Sequence, residues 1–259
     1  MRSVSNCSIC KKLFHSPLQP EATLTSPIRL TGPVLEVVIN GPSHEKVSWP
    51  LPKALLTHHA SYFRGLENFK EGQENKVELE DFEPGVFELF VEFMYFGRYT
   101  YRDNLRDKLR VRDAAKAWVL GDYLGAVEFT NLAMKNMYDI YFPSNAQQPK
   151  SGIGPQLVEY CCEKSSTDSK LFGFISNALV YYWHHIEVVI CDNVNRKHWD
   201  SLWMLYPALT SDLLFYTNQN EDGRRMSSNA PLETYLQQLT IVEEKNTTKR
   251  MWADECIAG

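Results

Sequence analysis

Residues 84–97 of the chain read PGVFELFVEFMYFG and carry its strongest helical pattern. The large apolar residues fall at positions i, i+1, i+4, i+7 and i+8, which places them on one broad face of a helix. They are Val86, Phe87, Phe90, Phe93 and Met94. Pro84 suits a first helical turn, and Gly97 stands where helices commonly end. The pattern predicts a buried helix from Pro84 to about Tyr95.

Short strand patterns stand on either side of this helix. The run at 34–39 is rich in β-branched residues, and 46–49 alternates polar with apolar side chains. The residues at 40–42, Asn-Gly-Pro, are a turn signal, so the two runs predict a hairpin. A third strand is predicted at 76–79 and a further short one at 99–101.

Helices account for most of the remaining N-terminal half. Two short helical turns are predicted at 52–56 and 59–65, followed by longer helices at 105–120 and 125–141. The Gly-Asp pair at 121–122 is interpreted as the break between the longer two. The predicted fold class is therefore α+β, with a small β-sheet flanked by an α-helical bundle and an all-helical C-terminal extension.

The chain divides into four predicted regions. Residues 1–27 are rich in Ser, Thr and Pro and are predicted to be a disordered leader. Residues 28–142 are predicted to form the α+β domain, and the polar stretch 144–154 marks its boundary. A helical C-terminal region is predicted over 155–217, followed by a linker, a short helix and a flexible tail over 218–259.

Apolar residues in the C-terminal region keep helical spacing. One helix is predicted to run as far as Val189, and its stripe comprises Leu171, Ile175, Ala178, Tyr182, Ile186 and Val189. Further helices are predicted around 199–206 and 209–216. Trp199 and Trp203 lie on the first of these. We favour core packing over a docking face for both, because aromatic residues at helical spacing usually bury against neighbours.

Composition and charge restrict the class of function. The 259 residues are 44% hydrophobic and 23% charged, with a formal net charge of −5, which is ordinary for a globular protein. An acidic chain with only short basic clusters argues against nucleic-acid binding. The six cysteines are too sparse for a disulfide scaffold, and neither an export signal nor a membrane-spanning stretch is recognisable. We expect an intracellular protein that needs no cofactor.

Three segments, in the right order, resemble the BTB/POZ domain family. The first combines 49–56, WPLPKALL, with 61–64, SYFR, and is similar to the pattern around the family's first two helices. The second segment, 77–99, resembles a strand of the family followed by a helix, which in this chain ends in MYFG. The third segment, 114–124, is similar to the family's next helix. The resemblance covers about 28–140, in the style of BTB proteins from filamentous fungi. It implies a non-catalytic protein–protein interaction module.

Two departures from the family pattern limit what can be transferred. This chain has Gly32 and Pro33 where the family commonly has an acidic residue, and Pro52 where the family commonly has His. Only Lys53 remains of the groups that border a co-repressor groove in some members. We therefore do not transfer that activity, and we keep Lys53 as a candidate protein-contact residue.

A second candidate contact follows the SYFR segment. Cullin-binding members of the family carry an apolar-x-Glu motif there, and Phe69-Lys70-Glu71 stands at the matching place. Phe69 would fill a partner's pocket and the Glu71 carboxylate would fix the register. The alternative is that Phe69 packs on its own domain while Glu71 is solvated.

The resemblance thus implies two functions. One is a substrate adaptor for a cullin-type ubiquitin ligase. The other is a homo-oligomerising or transcription-associated scaffold without a ligase link. No recognised substrate-binding repeat follows the BTB-like part, which weakens the adaptor interpretation.

Metal and enzyme sites are the alternatives from other classes. Cys7, Cys10 and His15 have no second ligand pair at finger spacing, so no zinc site is predicted. A Cys/His enzyme would draw on Cys161, Cys162, Cys191, His184, His185 and His198. None lies in a Gly-rich turn that builds an oxyanion hole, and the adjacent histidines face different directions on a predicted helix. No catalytic, cofactor-binding or metal-binding residue is predicted.

Overall fold

A computed structural model describes residues 32–41, 46–66, 75–100, 107–143, 149, 151–219 and 230–238. The predicted leader, the predicted tail beyond 238 and most of the predicted linker therefore lie outside the described residues. In chain order the elements are β1 (Val34–Asn40), β2 (Lys46–Pro52), α1 (Lys53–His59), α2 (Ser61–Gly65), β3 (Lys76–Glu80), α3 (Pro84–Phe96), α4 (Asp107–Leu124), α5 (Val127–Tyr141), α6 (Pro155–Lys164), α7 (Lys170–Tyr182), α8 (Arg196–Leu205), α9 (Pro207–Thr217) and a 3₁₀ turn (Leu232–Tyr235).

The three strands form a mixed sheet in the order β2-β1-β3. β1 and β2 pair antiparallel, which confirms the predicted hairpin, whereas β3 runs parallel to β1. A parallel neighbour needs a crossover connection, and α1 and α2 lie within it. Val37 pairs with Trp49 on one side and with Val77 on the other. These three buried side chains form one row of the sheet's inner face.

Helix α3 packs between this sheet and the helical layer. It confirms the predicted helix and extends it by one residue to Phe96. The ring centroid of Phe87 lies 5.1 Å from that of Trp49 in the sheet, and Phe90 lies 5.1 Å from Phe129 in α5. Gly97 ends the helix at a positive φ of 65°, and its N–H donates to the Phe93 carbonyl at 2.7 Å. Only a residue without a Cβ takes this conformation easily.

The break predicted at residues 121–122 is wrong. Helix α4 continues through Gly121 to Leu124, and the turn into α5 lies at Gly125, whose φ is +60°. A Cβ on Gly121 would stand 2.4 Å from the Thr130 hydroxyl of α5. The glycine at 121 is therefore explained by close packing of two helices, not by chain termination.

Two other predicted elements differ from the structure. Tyr99 and Thr100 form no strand, and Tyr101 lies outside the described residues. Tyr99 is instead a core residue, whose ring lies 5.5 Å from that of Phe129. The helix predicted to reach Val189 ends at Tyr182. Beyond it, Val189 forms a parallel bridge with Ile153.

The bridge fixes the chain beyond the end of the helix. The Ile153 N–H donates to the Val188 carbonyl at 2.6 Å, and the Ile190 N–H donates to the Ile153 carbonyl at 3.0 Å. These backbone groups of residues 188 and 190 find their partner in a distant segment rather than in a helix. Ile186 lies in the turn between the helix and the bridge, where it is exposed to solvent and belongs to no buried stripe.

The C-terminal helices share one hydrophobic core with the N-terminal elements. Helix α5 forms the common wall. Its Tyr141 is fully buried, and its carbonyl accepts a hydrogen bond of 2.5 Å from the Tyr182 hydroxyl of α7. Phe142, just after α5, contacts both Phe174 and Tyr182 through ring pairs of 6.2 and 5.9 Å. The boundary predicted at 144–154 therefore separates two regions that pack on each other.

A segment at 230–238, here called the strap, returns from the C-terminal helices to the N-terminal ones. Tyr235 is buried, and its hydroxyl accepts a 2.7 Å hydrogen bond from the Asn177 amide of α7. The Asn131 side-chain amide of α5 donates to the Gln237 carbonyl at 3.0 Å and accepts from the Gln237 backbone N–H at 2.7 Å. The Gln237 side-chain amide donates to the Asp122 carboxylate at 2.7 Å. The strap thus links α7 to α4 and α5.

We expect Phe90→Ala to lower the free energy of unfolding by about 3–5 kcal/mol, because it leaves a cavity between the sheet and α5. Chemical denaturation followed by circular dichroism measures this change. A loss below about 1 kcal/mol would contradict the packing described for α3.

Two glycine substitutions test the contact between α4 and α5. Gly121→Ala should destabilise the protein by about 1–3 kcal/mol, because the new methyl group meets Thr130 and Phe129. Gly173→Ala is the matched control, since it lies within α7 and a Cβ there has nothing within 4 Å. The control should be neutral or stabilising by up to about 1 kcal/mol, as expected for a helix interior. Equal effects of the two changes in thermal unfolding would contradict this explanation.

Candidate interaction surface

Three aromatic side chains form a surface group, here called the aromatic surface cluster: Tyr62, Phe82 and Tyr123. The ring of Tyr123 lies 5.5 Å from Tyr62 and 5.1 Å from Phe82. Tyr123 is 53% exposed, while the other two are half-buried against the core. An exposed tyrosine held between two packed rings is a pre-ordered contact group of the kind enriched in protein interfaces.

The turn at Gly125 brings two of the three residues of the cluster together. The Ser61 N–H at the start of α2 donates to the Gly125 carbonyl at 3.4 Å. A Cβ on Gly125 would stand only 2.0 Å from the Ser61 hydroxyl, so a side chain would separate α2 from the end of α4. The close approach places Tyr62 of α2 beside Tyr123 of α4.

The predicted contact residues Phe69 and Glu71 lie outside the described residues, in the connection between α2 and β3. That connection begins after Leu66, which is buried in the core, and returns at Asn75, a non-glycine residue with a φ of 53°. Tyr62 stands on the short helix from which the connection departs. The aromatic surface cluster therefore borders the start of the segment that carries the predicted motif.

Lys53 lies elsewhere. It is the first residue of α1, and its backbone N–H donates to the Pro33 carbonyl at 2.9 Å. The residue before it, Pro52, pairs with Val34 at the start of β1. Phe82 lies near the other end of that strand, because it follows β3, and Glu80 of β3 pairs with Asn40 at the end of β1. The two ends of a seven-residue strand are roughly 20 Å apart. Lys53 and the aromatic surface cluster therefore belong to different surfaces.

The outer face of the sheet is polar and internally paired. Glu78 of β3 contacts the ammonium groups of Lys46 and Lys76 at 3.1 and 2.7 Å. Hydrogen bonds from Lys76 and Lys46 lower the pKa of the Glu78 carboxyl to about 2. Ser48 donates to Glu36 at 2.6 Å on the same face. Charges that already have partners on their own sheet offer little to a binding partner.

The cysteines and histidines of the C-terminal region are not arranged as a catalytic group. Cys161 and Cys162 are buried, and desolvation raises the pKa of both thiols, that of Cys162 to about 12. An attacking cysteine needs the opposite shift, because the thiolate is the nucleophile. His198 is hydrogen-bonded to Glu159 at 2.8 Å.

The remaining candidates for a Cys/His or metal site are scattered. The prediction that His184 and His185 lie on a helix is wrong. They lie in an exposed turn after α7. Within the described residues, no group of three or more His, Cys, Asp or Glu side chains is placed to hold a metal ion. Cys7, Cys10 and His15 lie outside those residues.

The tryptophans of the C-terminal region pack on one another. Trp199 and Trp203 stack with centroids 5.1 Å apart, and Trp183 meets both edge-on. Trp199 is buried and its indole N–H donates to the Ile190 carbonyl at 2.9 Å. The preference for core packing over a docking face is confirmed for Trp199, while Trp203 is half-buried against the core.

The family model of the BTB/POZ domain matches residues 37–115. These residues make up less than a third of the chain. No curated protein matches the chain. The fold is an α+β BTB fold with a small mixed sheet and a helical extension, as predicted. BTB/POZ domains are in general non-enzymatic protein-interaction modules. The resemblance to the filamentous-fungal group stays a prediction.

Within the described ranges of the chain, no helix combines the length and the apolar character that crossing a bilayer requires.

Cysteine labelling tests the described environments of the thiols. At pH 8, iodoacetamide should modify Cys191 well before Cys161 and Cys162, because Cys191 is exposed and the other two are buried with raised pKa values. Partial burial and the charge of Asp192 also raise the pKa of Cys191, so it should react more slowly than a free thiol. Peptide mass spectrometry measures the order, and denatured protein is the control. Fast native labelling of Cys161 or Cys162 would reopen the enzyme hypothesis.

Proposed function

We propose that this protein is a substrate adaptor that binds a cullin-type scaffold through the surface around α2 and the end of α4. The BTB fold gives the interaction class. The observation that carries the proposal is the exposed ring of Tyr123, held between Tyr62 and Phe82 at 5.5 and 5.1 Å. This group stands beside the start of the connection that contains Phe69-Lys70-Glu71.

The chemistry of these residues suits a small, well-defined contact. Phe69 supplies an apolar side chain for a partner's pocket, and the nearby Glu71 carboxylate supplies a directional, charged contact. Tyr123 adds a large contact area with only two rotatable torsions, so little conformational entropy is lost on binding. In this proposal the three residues form one binding patch, and Lys53 is not part of it.

The C-terminal helical region is the substrate-binding part in this proposal. It presents a different surface, because α6 to α9 pack beyond α5 and the strap. An adaptor needs two separate surfaces so that the scaffold and the substrate bind together. The two regions are joined by a shared core, which fixes the distance between these surfaces.

We expect Phe69→Ala, Glu71→Ala and Tyr123→Ala each to weaken binding to a purified cullin N-terminal domain by about 10-fold or more, as for central interface residues. The measurement is a titration with the full chain by isothermal calorimetry, supported by pull-down. Ile186→Ala is the matched control, since Ile186 is also a large exposed hydrophobic residue but lies in the turn after α7.

The controls separate binding from folding. Each variant should keep the melting temperature of the native chain within a few degrees. Wild-type chain that does not bind the cullin domain, or three variants that all bind as tightly as wild type, would refute the adaptor role. The BTB fold itself would be unaffected by that result.

A further inference from the structure

Helix α9 and the corner before it carry an unusually apolar exposed surface. We call it the α9 apolar face and define it by Met204, Leu205, Leu214 and Phe215. These side chains are 77%, 64%, 61% and 66% exposed, respectively. Half of the large exposed hydrophobic residues in the described part of the chain thus fall within twelve positions. Scattered exposed hydrophobics are ordinary, but a concentration of this kind marks an interaction site.

The apolar face is not the ordinary inner side of an amphipathic helix. Leu209 and Leu213 already fill that role, because they are buried against the rest of the C-terminal region. Helix α9 is therefore apolar on both sides, a pattern typical of a helix that is buried all round. Its outer side needs a cover that the described residues do not supply.

The face also lacks charge. From Trp203 to Gln219, the only charged residue is Asp212. Asp212 is half-buried and accepts a 3.3 Å hydrogen bond from the Ser176 hydroxyl of α7. The exposed positions between the large apolar residues, Ala208 and Ser211, are small and neutral. No position on the outer side of the helix places a charge against an approaching surface.

The chain's own neighbouring segments suit this face poorly. The stretch that follows α9, residues 220–229, has four charged residues and a single large apolar one, Met226. The strap after it is engaged elsewhere, since Tyr235 and Gln237 are bound to α7, α5 and Asp122. The chemistry of these two segments argues against a cover by either of them.

A second copy of the chain suits the face well. In a two-fold interface the same patch meets itself, so like charges would be brought together if the patch were charged. An uncharged apolar face avoids this cost. The four large side chains expose on the order of 100–150 Å² each, so two copies would bury about 1,000 Å², the lower limit for a specific stable interface.

We propose that the chain forms a symmetric dimer through the α9 apolar face, with α9 of one copy packed against α9 of the other. Ser211 lies at the middle of the outer side of the helix, between Ala208 and the Leu214–Phe215 pair. In the dimer it lies near the two-fold axis, opposite its own counterpart. This contact is separate from the proposed cullin-binding surface and does not depend on it.

The first test is the mass of the full chain in solution. Sedimentation equilibrium over about 1–100 μM should show dimers for the wild type, and a double change of Leu214→Ser with Phe215→Ser should raise the dimer dissociation constant by at least about 100-fold. Ile186→Ser is the matched control, because Ile186 is also an exposed apolar residue but lies outside the face, and it should leave the dissociation constant unchanged. A wild-type monomer at the highest concentration, or a double variant with undiminished self-association, overturns the proposal.

The second test identifies the symmetric contact itself. Ser211→Glu and Ser211→Lys should each weaken self-association, because like charges then meet at the two-fold axis. A one-to-one mixture of the two variants should restore the dimer, since opposite charges now meet. Circular dichroism spectra that match the wild type show that the exposed substitutions leave the fold intact. A mixture that stays monomeric, or single variants that dimerise normally, overturns the arrangement.

Discussion

The side chain of Phe90 occupies the position on which the rest of the fold depends. It is fully buried in α3, and its ring contacts Phe129 of α5, while Phe87 one turn earlier contacts Trp49 of the sheet. A three-stranded sheet has too few strands to be stable without a covering layer. The aromatic ridge of α3 supplies that layer and gives the outer helices a surface to pack on.

Helix α5 carries the packing onward from this ridge. One side of the helix meets α3 through Phe129, and its C-terminal end meets α7 through Tyr141 and Phe142. The strap then closes the arrangement, because Tyr235 and Gln237 connect α7 with α5 and α4. The helical extension is therefore held to the BTB fold by hydrophobic burial and by hydrogen bonds from two places, α7 and the strap.

The two surfaces proposed as contact sites differ in kind. The aromatic surface cluster is small and belongs to the BTB fold, whereas the α9 apolar face belongs to the helical extension. In the proposed dimer, two scaffold-binding surfaces would be presented by one particle. A bivalent particle of this kind gains avidity for a scaffold that is itself present in two linked copies, without any new contact, provided that the spacing of the sites matches.

The sequence by itself determined the elements with strong local patterns: the β1–β2 hairpin, β3 and helix α3, as well as the resemblance to the BTB/POZ domain through the order of its motifs. Burial periodicity and capping residues are local properties, so one chain segment suffices to predict them. Only the tertiary structure decided that α4 runs through Gly121, that residues 188–190 form a bridge instead of a helix, and that Tyr123 meets Tyr62 and Phe82. Each of these depends on a contact with a distant segment, namely Thr130, Ile153 and Ser61, and sequence periodicity carries no information about such contacts.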